Sequence, residues 1–300
     1  EEPRNRGTEA PPKMHELEKV LHACRTIARG VVVTVIRTTG STYRRAGARA
    51  VIAENGQAFG AISGGCLEKD LAERIRPWLA DMQPRIVSYD STQPSDVVFG
   101  LGLGCRGILD LLVEPFDAAH PSRMLEFRWN GREPVEWTTT LPNGEVLLEL
   151  IRPQRALVIF GGGADVEPVV RLAQQIGWRA DVVTTREPVD VSEYDAAVVM
   201  THNFQRDVEL LPRLMRSQLA YIGLLGPKSR GEELFVEAGV QHDARVHSPI
   251  GLDLGSETPD EIALAIVAEI QAVLNRRSAR PLRALNAPIH EPLAPAETCV

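Results

Sequence analysis

The chain lacks the apolar run of about 18 residues that a membrane-spanning helix needs, and it carries no lysine- or arginine-rich tract. The first absence argues against a transmembrane protein, the second against a nucleic-acid-binding stripe. A formal net charge of −7 and a pI near 5.6 add no general attraction to polyanions. The opening EEPRNRGTEAPPK is polar and proline-bearing, so it does not read as a secretory signal or as part of either fold. Four cysteines, Cys24, Cys66, Cys105 and Cys299, are too few and too scattered for a disulfide framework in 300 residues. There is no C-x-x-C pair to suggest zinc, and no G-x-S-x-G elbow, H-E-x-x-H helix or Walker lysine. No internal repeat is present. These absences predict a cytoplasmic protein with no membrane and no nucleic-acid partner.

What the chain does have is enough apolar content, 44%, to build full cores over 300 residues, which predicts two domains of about 100 to 150 residues. Residues 14–115 read as an N-terminal α/β domain. Helical spacing of Leu17, Val20, Leu21, Cys24, Ile27 and Ala28 ends at Gly30, and places Cys24 on an apolar stripe as a small core residue. A β-branched strand follows over Val31–Ile36, then a hairpin around Asn55-Gly56, a helix near Leu67–Leu79, and strands near Arg85–Tyr89 and Ile108–Val113. Residues 116–153, with Asn130-Gly131 and Asn143-Gly144, read as an antiparallel connecting segment. Residues 154–277 alternate strand and helix, the pattern of a Rossmann-like parallel sheet. Its clearest helix follows Thr258 as N-cap, with Pro259 in the first helical position. The proline-bearing residues 278–300 are expected to form a mobile tail.

The stretch Leu157–Val170, LVIFGGGADVEPVV, carries an apolar strand into Gly161, Gly162 and Gly163 and then into a helix. Glycines there let backbone amides approach a phosphate, and the helix start adds partial positive charge. Two departures stand out. Val166 fills the third position of G-x-G-x-x-G, and Thr184 and Thr185 stand where a ribose-binding acid belongs, with Arg186 the nearest charge. NAD, NADP or another phosphorylated ligand, and a purely structural turn all remain open on these residues.

Three glycine-bearing loops mark the first domain: GSTYRR from Gly40, SGGCLE from Ser63, and GLGLGCRG from Gly100. Cys66 stands at or near a helix start, where the dipole favours a thiolate, and Cys105 is followed by Arg106. Each is a candidate nucleophile or metal ligand, against the plain reading of a small side chain in a tight turn. In the second domain THNFQRD (Thr201–Asp207) sets His202 at the carboxyl edge of the sheet, as a base, a ligand contact or a simple turn residue. The segment YIGLLGPKSR offers Lys228, Ser229 and Arg230 to a phosphate or, as plainly, to solvent.

Taken in order, GSTYRRAGARAVI, GAISGGCLE, GLGLGCRGILDLLVEP, FGGGADVEPVVRLAQQIGW, MTHNFQRD, YIGLLGPKSR and RVHSPIGLDLGSETPDEIALAIVAEI resemble the XdhC/CoxI family, accessory proteins of xanthine dehydrogenase and related molybdenum hydroxylases. The resemblance spans about residues 15–275. It implies a dimeric chaperone rather than a turnover enzyme. Such a protein binds molybdenum cofactor (molybdopterin, in mononucleotide or dinucleotide form), supports its sulfuration with a cysteine desulfurase, and delivers it to a molybdenum hydroxylase apo-enzyme. It also implies that Cys66 and Cys105 hold the metal, with Ser41, Arg44, Gly64, Gly65, Gly104, Gly161, Gly162, Gly163, His202 and Lys228 around the cofactor. A thiolate suits this role as a soft ligand or as a carrier of persulfide sulfur. Arg106 departs from the family pattern, where a second glycine is usual, and so does Thr184, where an acid is usual. The alternative is an NADP-dependent oxidoreductase or redox sensor built on the Gly161–Gly163 turn.

Overall fold

In the computed structural model, residues 16–40, 42–90 and 107–286 are described. The expected tail lies outside them from residue 287 on. The chain divides between Pro153 and Gln154 into two compact units.

The first unit is built on a five-stranded sheet in the order β3-β2-β1-β5-β4. The strands are β1 (Gly30–Gly40), β2 (Arg49–Ala53), β3 (Ala58–Gly60), β4 (Arg85–Asp90) and β5 (Gly107–Phe116). Every pairing in it is antiparallel. The central β1 is a run of valines because both of its faces are covered. Val31, Val33 and Val35 pack under α2 (Cys66–Asp81), and Val32 packs under α1 (Glu16–Thr26). α2 supplies Leu67, Leu71, Ile75 and Leu79 at four-residue spacing, one stripe on one face. Each fully buried side chain of this kind contributes about 1.5 to 3 kcal/mol. α1 supplies Leu17, Val20, Leu21 and Cys24, with Phe116, Met124 and Phe127 completing that layer. Burial pushes the Cys24 thiol up to about 11, so it packs as a neutral core residue.

The two remaining strands of this unit, β6 (Val135–Thr140) and β7 (Val146–Ile151), form an antiparallel hairpin turned at Asn143-Gly144. Its Trp137, Val135 and Ile151 join the α1 layer. A buried ion pair between Arg49 of β2 and Glu149 of β7 ties it to the sheet.

The second unit is a parallel sheet in the order β12-β11-β10-β8-β9. Its strands are β8 (Ala156–Gly161), β9 (Arg179–Val183), β10 (Ala196–Met200), β11 (Tyr221–Leu224) and β12 (Val246–His247). Helices α3 (Val166–Gln175) and α6 (Pro259–Leu274) cover one face, and α4 (Phe204–Met215) and α5 (Lys228–Glu237) the other. Both faces are therefore dry, which explains uninterrupted apolar strands such as ALVIF and AAVVM. Chain order reverses between β8 and β10. In open α/β sheets that switch point, at the carboxyl ends of the strands, is where ligands bind. α6 begins as its sequence predicts: the Thr258 hydroxyl accepts the Glu261 amide, and Glu261 accepts the Thr258 amide in return.

Candidate functional site

The loop before α2 is held by a carboxylate. Glu68, only 8% exposed, folds back from the first turn of α2 and accepts the amides of Ile62 and Ser63, each at 2.8 Å, and of Gly65 at 3.1 Å. It also accepts the Ser63 hydroxyl. The Ser63 oxygen in turn accepts the amides of Gly65 at 3.0 Å and Leu67 at 3.2 Å. Burial pushes the Glu68 carboxyl up, but the hydrogen bonds led by Ser63 outweigh it and hold the group below its ordinary 4.5. With the loop fixed from below, Gly64, Gly65 and Cys66 are all exposed above it.

The two glycines differ in what they are for. Gly65 has φ of 111°, a backbone angle that favours glycine. Gly64 has no such angle, and a Cβ built on it would meet nothing within 4 Å. Folding does not require glycine at 64. Cys66 opens α2 with a free, exposed thiol.

The other candidates in this unit are placed differently. Arg44 makes a two-pronged ion pair with Glu16 of α1, with Nη1 2.8 Å from Oε1. Ser41, Gly104 and Cys105 lie outside the described residues, and so does Arg106. Among the described residues no group of three or more His, Cys, Asp or Glu is arranged to hold a metal ion.

In the second unit, Gly161 ends β8 beneath the end of β10. A Cβ there would lie 2.9 Å from the Met200 carbonyl carbon and 3.2 Å from Val166. That glycine serves close packing. Over Gly163 stand the Asp165 carboxylate and the His202 ring, the latter 3.4 Å from where a Cβ would be. Asp165 Oδ2 and His202 Nε2 are 2.9 Å apart, and His202 takes a left-handed φ of 54°. An anion arriving at this turn meets a carboxylate already at the helix start. Gly163 and His202 are thus brought together, as the sequence motifs alone could not show.

Further contacts shape the carboxyl edge. The buried Asp207 accepts the Thr201 hydroxyl and, at 2.7 Å, the Arg230 guanidinium, which lies over the Phe204 ring. This joins the THNFQRD segment to the GPKSR segment. Lys228, at the start of α5, is 79% exposed and 3.9 Å from Glu232. At the end of β9, Arg206 covers the carbonyls of Val183, Thr184 and Thr185.

Glu68, Asp165 and Arg206 do not stand out among the candidates in the sequence. For Glu68 a signal existed: an acid three residues after a helix-capping position is the mark of a capping box. Asp165 and Arg206 act through contacts between separate loops, which one-dimensional spacing does not display.

Comparison with known proteins fits these features. Residues 24–90 match the XdhC and CoxI family, and residues 157–270 match the XdhC Rossmann domain. The chain is 30% identical to a probable xanthine dehydrogenase subunit from Bacillus subtilis, over 80% of this chain and 92% of that protein. The chain belongs to the XdhC and CoxI family. Another relative, the molybdenum cofactor insertion chaperone PaoD of Escherichia coli, is 23% identical over 81% of this chain and 83% of its own. A crystal structure titled as a xanthine dehydrogenase from Bacillus halodurans superposes with a TM-score of 0.75 at 27% identity. That match covers 88% of this chain and 97% of the other. As in the family description, the second unit is a Rossmann-type domain. No helix among the described residues is long and apolar enough to cross a membrane.

Proposed function

We propose that this chain binds molybdenum cofactor and delivers it to a molybdenum hydroxylase apo-enzyme, without catalytic turnover of its own. The observation that carries the reading is the Glu68-locked loop, which leaves Gly64, Gly65 and the Cys66 thiol exposed. A relative that is a molybdenum cofactor insertion chaperone supports it. When bound, the cofactor would supply a molybdenum centre and a terminal phosphate. The Cys66 thiolate would be a ligand to the metal, and Gly64 leaves room for a large group to approach. Cys105, Gly104 and Ser41 are proposed to complete this end. In the second unit Gly162, Gly163, His202 and Lys228 are proposed, independently of that loop, as cofactor contacts.

The finer parts of the reading are support of sulfuration, with Cys66 carrying persulfide sulfur received from a cysteine desulfurase, and a homodimeric state in the cytoplasm. The NADP-dependent alternative is weaker on physical grounds. Asp165 stands over the glycine turn, and Arg206 occupies the carbonyl end of β9.

Anaerobic reconstitution of an apo-hydroxylase tests delivery. Cofactor carried by this chain is expected to activate the enzyme at least about tenfold more than free cofactor at equal concentration, and Cys66→Ser to remove the advantage. Equal activation with and without the chain would overturn the proposal.

A further inference from the structure

The connection from β9 to β10, residues 184–195, contains no helix. Crossovers between parallel strands ordinarily lay a helix on the sheet. Here the segment instead leaves a cavity of about 190 Å³ between itself and α4. The floor is apolar, made by Phe160 at the end of β8 and by Leu210 and Leu214 of α4, all buried. The rim is charged. Arg186, Glu187 and Asp190 come from the connection, and Arg206, Glu209 and Arg213 from α4. Asp190 accepts the Ser192 amide and Arg206 is held by carbonyls, whereas Arg186, Glu187, Glu209 and Arg213 have no ion-pair or hydrogen-bond partner among the described residues. The bonds from Arg206 to the Thr184 and Thr185 carbonyls, at 3.0 and 2.6 Å, pin the start of the connection and keep the cavity formed.

We propose that this cavity binds a nucleoside phosphate. A flat heterocycle satisfies an apolar floor with its faces. Its amino group or the ribose hydroxyls satisfy the unpaired Glu187 and Glu209, and its phosphate satisfies the unpaired Arg186 and Arg213. The phosphate falls to these arginines because the Gly161–Gly163 turn is already faced by Asp165. The cavity opens beside the carboxyl ends of β8 and β9 and runs along α4 to its last turn. The site goes beyond the delivery reading and uses neither Cys66 nor a metal.

Calorimetric titration of the full chain with CMP, GMP and AMP, the matching nucleosides, and inorganic phosphate tests it. The expected result is binding of at least one nucleotide, with its nucleoside and inorganic phosphate each at least about tenfold weaker. Arg186→Ala with Arg213→Ala, and separately Val189→Trp to fill the cavity that Val189 of the connection lines, should each weaken that binding at least about tenfold at an unchanged unfolding midpoint. The proposal is overturned if no nucleotide binds up to about 1 mM, if inorganic phosphate binds as well as the nucleotide, or if the double arginine variant binds normally. Should Val189→Trp misfold, the arginine variant decides. Displacement of the bound nucleotide by a dinucleotide form of the cofactor would identify the nucleotide end of a larger ligand, and no displacement a free nucleotide. Cys66→Ser should leave nucleotide binding unchanged, so failure here and failure of the delivery reading are separable.

Discussion

Gly64 and Gly161 are glycines for opposite reasons, and substitution by alanine separates them. At Gly161 a methyl would press on the end of β10, so Gly161→Ala is expected to cost about 2 kcal/mol of stability, the usual range for forced overpacking. At Gly64 the same methyl meets open space, so Gly64→Ala should leave the chemical unfolding midpoint unmoved while weakening cofactor binding. A large stability loss at Gly64, or none at Gly161, would show that the packing has been misread. Both residues stood out in the sequence for the same reason, a glycine at a strand or helix end. Only the neighbours, Met200 for one and none for the other, assign them different tasks.

At the scale of elements, the loop between β3 and α2 depends on one side chain. Glu68 receives three amides and a hydroxyl from this loop, so Glu68→Ala leaves buried donors unpaired and should cost about 3 kcal/mol. The pH dependence has a defined sign. Because the folded carboxyl is held below its ordinary 4.5, its contribution is present above that value and is lost as pH falls through the lower folded one. Thermal melts of parent and Glu68→Gln should therefore differ most near neutrality and converge in acid. A constant gap across pH would contradict the assignment.

Elements with local signals were legible in the sequence. The valines of β1, the Asn143-Gly144 turn and the Thr258 cap each act within a few residues. α5 was not, because KSRGEELFVE carries Gly231 and a scatter of charges that blur its apolar side. The antiparallel order of the first sheet was hidden too, since order depends on pairings between distant segments.

Across the whole molecule, the candidate groups divide between two compact units. The soft-ligand loop is in the first, and the glycine turn and charged cavity are in the second. The family resemblance read from motifs along the chain identified the protein class, which comparison then established. Motif order is preserved in sequence, and so it was visible there. Asp165 over the turn, Arg206 on the β9 carbonyls and the helix-free crossover with its cavity arise from folding and were not.

The proposed delivery role depends above all on cofactor being held at the Cys66 loop. Its most direct test is molybdenum and pterin analysis after anaerobic mixing with cofactor and gel filtration, run on the parent, Gly64→Ala and Cys66→Ala. Close to one cofactor per chain is expected in the parent, at least about a tenfold loss of affinity in Cys66→Ala, and weakened retention in Gly64→Ala with its fold intact. Retention by Cys66→Ala equal to that of the parent would contradict it.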